Sequence, residues 1–200
     1  FKSSLIVIDD GSSDNTLELL KKNNINYLSS HINNGQGNAL NIGYDFVKKR
    51  KEKIDIIITM DADNQHNVED LKKFIHPLIS NKADIVIGSR VLGSNKSKNI
   101  IRKIGIKLFN FMFEIFYKKK LTDISSGFKA IKLSKLKLLN LKETQFQSID
   151  FLTEAFKANL KILEVPIVIK DRIDGNSKKG NDWSYGFNFF IMIINKWLNS

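Results

Sequence analysis

Short apolar runs alternate along this chain with amphipathic stretches, and several of the runs stop at acidic or glycine-rich turns. Leu5-Ile6-Val7-Ile8 closes on Asp9-Asp10-Gly11-Ser12-Ser13-Asp14, the pattern of a buried strand and a polar turn. Asp14 is placed to cap a helix that begins near Asn15 and carries Leu17, Leu19 and Leu20. Residues 25–28 read as a second short strand. Asn34-Gly35-Gln36-Gly37 then leads into a helix over about 38–50, striped by Ala39, Ile42, Gly43, Phe46 and Val47. A third strand, 55–60, ends abruptly at Asp61-Ala62-Asp63. Leu71, Phe74, Ile75 and Leu78 give a helix over 68–79 its inward face, and Pro77 should kink or shorten it. Residues 84–88 form the next strand. Near-continuous apolar strands alternating with helices predict a parallel sheet covered on both faces.

The alternation breaks after Arg90. Residues 91–99 read as a polar loop, followed by a strongly apolar helix over about 101–117. A loop and short strand over 123–130, a helix over 146–158 and a strand over 160–169 follow. Pro166 puts that last strand at a sheet edge. Residues 171–182 form a polar, glycine-containing loop. A final helix, about 185–198, carries Phe187, Phe189, Phe190, Ile191, Met192, Ile193, Ile194, Trp197 and Leu198. This reads as a core helix, a membrane-surface helix or the lead-in to a membrane segment.

With 200 residues the chain suffices for one domain with a real core. The absence of cysteine excludes disulfides, thiolate metal sites and cysteine nucleophiles. No run of 18 apolar residues is present, so no complete membrane-spanning helix is expected. The chain opens on Phe1, without a visible signal peptide, and reads as a piece of a longer protein. Its net charge of +11 suits a phosphorylated substrate, an anionic lipid surface or nucleic acid. It equally reflects a composition rich in Lys and Asn. No Arg-rich or aromatic-interleaved strip is present, so nucleic acid is not an expected partner.

The chemistry concentrates where strands stop. Asp61 and Asp63, at i and i+2, converge only if the chain turns at Ala62. Ligands gather at that edge of open α/β sheets. Oxygen donors of this kind suit Mg²⁺ or Mn²⁺ shared with phosphate oxygens, and Gln65 could add a third. His66 is a further candidate, although a loop histidine beside acids more often serves as a hydrogen-bonding partner. An Asx-rich turn capping the next helix is the plain alternative. Asp10 could accept hydrogen bonds from a base or ribose. The pair Gly35-x-Gly37 lacks the third glycine of a dinucleotide fingerprint and points to tight loop packing. Arg90, Arg102, Arg172 and Lys178 lie in four separate segments from which they could converge on phosphate oxygens. Asp123, Ser125 and Ser126 precede Gly127 at a sharp turn, either to cap a helix or to place an acid near a substrate. No Ser-His-Asp order is present.

Taken in order, these segments resemble a known family. Val7-Ile8-Asp9-Asp10-Gly11-Ser12-Ser13-Asp14-Asn15-Thr16, Asn34-Gly35-Gln36-Gly37-Asn38-Ala39 with Gly43, Asp61-Ala62-Asp63-Asn64-Gln65-His66, Gly88-Ser89-Arg90, Asp123-Ile124-Ser125-Ser126-Gly127-Phe128-Lys129, Glu164-Val165-Pro166-Ile167 and Arg172-Ile173-Asp174-Gly175-Asn176-Ser177-Lys178 are similar to the family 2 glycosyltransferases. The likeness is strongest to the branch that uses polyprenyl phosphates, dolichyl-phosphate mannosyltransferases and undecaprenyl-phosphate sugar transferases among them. It spans residues 5 to about 178, and the late Arg…Gly-x-Ser-Lys element makes it specific. It implies the α/β GT-A fold, a mostly parallel central sheet flanked by helices. It also implies a catalytic domain over 1–183 that lacks the family's first strand, with 184–200 an apolar, juxtamembrane helix. Where the family often has Arg, this chain has Lys129.

By the same resemblance Asp10 contacts the nucleotide base, and Asp61, Asp63 and Gln65 hold Mg²⁺ or Mn²⁺. Arg90 and Arg102 sit near the acceptor phosphate. Arg172 and Lys178 cover the donor diphosphate, and Asp123 lies near the sugar. The implied reaction is inverting transfer of a sugar from a UDP- or GDP-linked donor to a polyprenyl phosphate, at the cytoplasmic face of a membrane. Mannose, glucose, N-acetylglucosamine and aminoarabinose-type donors all remain compatible. The competing expectation is transfer to a sugar hydroxyl in cell-wall or polysaccharide synthesis, with Asp123 as base. A non-catalytic subunit of the same fold is argued against by the intact acidic pair.

Overall fold

The computed structural model describes residues 3–51, 53–95, 100–170 and 182–198. They contain six strands and seven helices and divide into two units. The first unit runs to Lys53 and takes in Leu141–Gln147. In it β1 (Val7–Asp9) pairs in parallel with β2 (Tyr27–Ser29), and α1 (Thr16–Lys22) connects them in the chain. The N-cap of α1 is Asn15, without a side-chain cap bond, and the expected cap Asp14 stands one residue outside it, where it accepts the Thr16 N–H at 3.0 Å. The helix α2 (Gln36–Lys49) starts two residues earlier than its apolar stripe suggests. A Cβ on Gly37 would lie 2.3 Å from the Thr144 carbonyl oxygen. The second glycine of the Gly35-x-Gly37 pair is therefore required by close backbone packing, although it lies in the first turn of α2 rather than in a loop.

The second unit contains Ile54–Asn140 and the chain from Ser148 onward. Its sheet has the order β3-β5-β4-β6, with β3 (Ile56–Thr59), β4 (Ile85–Asn95), β5 (Lys129–Lys132) and β6 (Ile162–Ile169). The strands β4 and β6 pair in parallel, while β5 runs against both β3 and β4. The alternation of strands and helices does not announce that reversal, which falls after the pattern breaks at Arg90. As Pro166 requires, β6 lies at the edge.

Residues 91–95 are strand rather than the expected loop. The β4–β6 register breaks between Ser89 and Ser94, then resumes with Ser94 opposite Val168 and Asn95 opposite Ile169. The Ser89 hydroxyl bridges the break by accepting the N–H groups of Val91 and Leu92 at 3.2 and 3.1 Å. Backbone pairing, not side-chain pattern, extends the strand.

One face of the sheet packs Val86, Phe128, Ala130, Val165, Ile167 and Ile169 against Phe74 and Leu78 of α3 (Leu71–Ile79), which ends two residues past Pro77. Phe74 and Phe128 stack with centroids 4.2 Å apart. The strand β4 is buried on both sides, Ile85, Val86 and Ile87 being at most 1% exposed. The short helix α5 (Leu133–Leu136) follows β5 directly. Three longer helices complete the unit: α4 (Ile100–Tyr117), α6 (Gln147–Lys157) and α7 (Asp182–Leu198). Phe109 meets Phe189, and Phe116 meets Trp197, so α4 and α7 are joined along their length.

A fully buried carboxylate, Asp150 of α6, receives Lys196 of α7 at 2.6 Å. Removing one partner of such a pair strands the other charge in a low-dielectric site. Lys196→Met is expected to lower unfolding stability by about 3 kcal/mol in urea titrations. A second change, Asp150→Leu, should restore most of the loss. Equal losses in the single and double variants would contradict this account of how α7 is held.

Candidate active site

The site of the second unit draws on the end of β3, the middle of β4 and the turn before β5. The chain leaves β3 after Thr59 and bends at Ala62, Asp63 and Asn64, the last with φ +60°. The turn that the i, i+2 carboxylates require is therefore present. Asp63 Oδ1 accepts the Gln65 N–H at 3.2 Å. Asn67 accepts the Glu69 N–H, so an Asx-type cap coexists with the acidic pair. Gln65 is anchored twice to Lys170, through its side-chain nitrogen at 3.0 Å and its backbone carbonyl at 2.9 Å.

Asp61 packs its carboxylate closely against Gly127. A Cβ on Gly127 would stand 2.8 Å from Asp61 Oδ1 and 2.9 Å from Oδ2. His66 Nε2 lies 3.9 Å from Asp61 Oδ2, and the ring meets Phe128 edge-on. That distance is an electrostatic approach rather than a hydrogen bond. The same turn thus sets the glycine against the acid. Among the described residues no group of three His, Cys, Asp or Glu side chains could hold a metal. Two carboxylates still fit Mg²⁺ or Mn²⁺, which commonly keep water and substrate phosphate oxygens as their other ligands. Asp61 and Asp63 are the residues that would hold such an ion.

Asp123 has no exposed surface, and its partner is Arg90. The guanidinium donates from Nε to Oδ2 at 2.6 Å and from Nη2 to Oδ1 at 2.5 Å, while the Arg90 N–H donates to Oδ2 at 3.0 Å. Ser125 Oγ accepts a further bond from Nη2 at 2.6 Å. Sequence reasoning gave these two residues separate tasks, a cation for phosphate and an acid near the sugar. The fold joins them in one bidentate pair.

Lys129, the first residue of β5, was not singled out for a role. It is 3% exposed, its ammonium lies 4.9 Å from the Phe151 ring centroid, and Asp61 and Asp123 act on its charge. Burial pushes its pKa down to about 8, against the pull of the two carboxylates. A lysine opening a strand just after Gly-Phe was the available signal.

The other site candidates are distributed as follows. Asp10, in the first unit, accepts the N–H groups of Asn34 and Gly35 at 3.2 and 2.7 Å, which ties it to the loop before α2. Burial of its neighbour Asp9 raises that carboxyl, but hydrogen bonds from Ser12 and Ser29 outweigh this and hold it below its ordinary value. Arg102 falls in the first turn of α4, and its side chain lies outside the described residues. Arg172 and Lys178 also lie outside them.

Because the folded pKa of Lys129 is depressed, the folded state binds fewer protons than the unfolded chain between about pH 8 and 10.5. The resulting stability is fully present above the unfolded value and is lost as pH falls through about 8. Urea unfolding at pH 8 and pH 10 should show the parent gaining stability relative to Lys129→Met. Parallel profiles for the two proteins would contradict the depressed value.

The glycosyl transferase family 2 model matches residues 2–139. The UDP-N-acetylglucosamine–dolichyl-phosphate N-acetylglucosaminyltransferase of Methanococcus voltae is 30% identical over 96% of this chain and 84% of its own length. The undecaprenyl-phosphate mannosyltransferase of Micrococcus luteus is 27% identical over 88% of this chain and 76% of its own. Among solved structures, glucosyl-3-phosphoglycerate synthase of Mycobacterium tuberculosis, in complex with Mn²⁺, UDP and phosphoglyceric acid, superposes with a TM-score of 0.73. That likeness covers 98% of this chain and 68% of the other at 15% identity, and it shows the GT-A architecture alone. With its family model matched over more than half its length, the chain belongs to glycosyl transferase family 2.

Proposed function

We propose that this protein transfers a sugar from a nucleotide-sugar donor to a polyprenyl phosphate with inversion at the anomeric carbon. One observation carries the acceptor: the two relatives differ in the sugar they are named for yet agree on a polyprenyl phosphate. An acceptor phosphate oxygen attacks C1, the C1–O bond to the diphosphate breaks, and the nucleoside diphosphate leaves. A phosphate is already anionic at neutral pH, so this attack needs no general base. The geometry of Asp123 supports that reading, because both of its oxygens are engaged by Arg90 and neither is turned to a substrate hydroxyl. Arg90 is assigned to the acceptor phosphate, with Asp123 and Ser125 fixing its plane. Asp61 and Asp63 would hold a divalent cation, whose contribution is electrostatic stabilisation of the departing diphosphate.

A water-insoluble acceptor calls for a membrane-facing surface, and α4 supports one. Ile104, Leu108, Phe111 and Ile115 are exposed at i, i+4, i+7 and i+11, forming a single apolar stripe. Phe187, Ile191 and Leu198 of α7 are exposed at the corresponding spacing. Lys107 and the run Lys118-Lys119-Lys120 are exposed on and just beyond α4. An apolar stripe with lysines suits the interface of an anionic bilayer. Among the described residues no helix is long and apolar enough to cross a membrane.

The reaction is tested with the full-length protein, Mg²⁺ or Mn²⁺, UDP- and GDP-sugars and polyprenyl phosphate. Product is expected with one donor, and Asp63→Ala should cost on the order of a hundredfold or more in kcat/KM. Arg90→Lys should raise KM for the acceptor more than for the donor, because a point charge replaces a guanidinium whose plane Asp123 and Ser125 fix. Transfer to a free-hydroxyl glycolipid alone would overturn the proposal. The surface is tested by co-sedimentation with phosphatidylglycerol vesicles, to which Phe111→Asp should bind about tenfold more weakly. Equal binding by the variant would remove α4 from the membrane face.

A further inference from the structure

Glu164 stands in the middle of the apolar strand β6 and has no role in the reaction described above. Its neighbours Val165, Ile167 and Ile169 face the core beside Phe74. The alternation of the strand turns Glu164 to the other side, toward the segment that follows α4. There its carboxylate takes three donors from two consecutive residues, one of them shared between both oxygens. The Thr122 N–H lies 3.0 Å from Oε1 and 2.8 Å from Oε2, and the Thr122 hydroxyl donates to Oε1 at 2.9 Å. The Asp123 N–H donates to the same Oε1 at 2.9 Å.

The residues so held are the ones that aim Arg90. Asp123 takes the guanidinium at both oxygens. The Thr122 hydroxyl is 2.6 Å from Ser89 Oγ, which in turn accepts the Val91 and Leu92 N–H groups across the register break of β4. From the other side Asn110 of α4 accepts the Ile124 N–H at 3.1 Å and donates to the Thr122 carbonyl. Glu164 and Asn110 thus clamp one short turn from two elements. Register explains why Glu164 is available, since it pairs with Ile87, three residues before Arg90 on the adjacent strand.

We infer that Glu164 is a positioning residue, which sets the direction of the Arg90 guanidinium through the backbone of Thr122 and Asp123. The physical basis is the number of acceptors. A carboxylate offers two oxygens with lone pairs enough for four donations, whereas a carboxamide offers one oxygen and turns an NH₂ group toward N–H donors. Glu164→Gln keeps the shape, but with its one oxygen in the place of Oε1 it turns the NH₂ group toward the Thr122 N–H, which donates to Oε2 at 2.8 Å. The turn must then shift, and the bidentate geometry at Arg90 shifts with it.

The assignment of Arg90 to the acceptor phosphate rests on the proposed function, so two readouts are needed. The first is kinetic, on the full-length enzyme. Glu164→Gln should raise KM for polyprenyl phosphate on the order of tenfold with little change in KM for the donor. In an Arg90→Lys background the same change should add almost nothing, since residues acting through one group are not additive. Equal rises in both KM values, or additive effects in the double variant, would overturn the inference. The second readout needs no acceptor. In ¹⁵N NMR spectra the Arg90 Nε–H, bonded to Asp123, should be slow to exchange with water in the parent. It should exchange fast in both Glu164→Gln and Asp123→Asn. A signal unchanged by Glu164→Gln would overturn the inference even if polyprenyl phosphate proved to be the acceptor. A parent enzyme inactive on polyprenyl phosphate would sink the proposed function and leave the NMR outcome to decide the role of Glu164.

Discussion

A carboxylate with no exposed surface dictates its surroundings, and Asp123 does so in this protein. Leaving it uncompensated would cost several kcal/mol, so the fold must deliver a cation with matching geometry. Arg90 supplies two guanidinium nitrogens and its own N–H to that carboxylate. Meeting the requirement fixes much else. The strand carrying Arg90 has to reach this point, the turn at 122–125 has to be pinned, and the neighbouring strand has to pin it. Lys129, also buried, adds a second cation on which both Asp61 and Asp123 act.

The same constraint bears on the chemistry. Both oxygens of this carboxylate are occupied by an arginine fork rather than directed at a hydroxyl. An enzyme whose nucleophile is already a phosphate anion can accept that arrangement. One that activates a sugar alcohol needs a carboxylate free to take the proton. Family membership alone does not choose between these reactions. The disposition of one buried acid is the local feature that leans toward the lipid phosphate, and it agrees with the acceptor shared by two relatives.

The sequence made the acidic strand end, the turn at Ala62 and the edge position of β6 legible, because each depends on residues close in the chain. The reversal of β5 was not legible, since direction depends on which strands flank it. The strand character of residues 91–95 was hidden because polar side chains masked a backbone ladder that resumes after a register break. Arg90 and Asp123 were each noticed, but 33 residues separate them and nothing in either motif names the other. Glu164 was seen only as part of a motif, because the N–H groups it holds lie some forty residues earlier. Glycine was informative in both units. Gly37 and Gly127 stand where a Cβ would meet a carbonyl oxygen and the Asp61 carboxylate, respectively.

The central claim is that the nucleophile is a lipid phosphate and that attack is in line. Its most direct test is the bond made in the product, read by ¹³C and ³¹P NMR on material from the full-length enzyme and the donor it accepts. A phosphorus-coupled anomeric carbon with configuration opposite to that of the donor is the expected result. A sugar linked to carbon through an ordinary glycosidic oxygen, or a phosphodiester with the donor's configuration retained, would contradict the account.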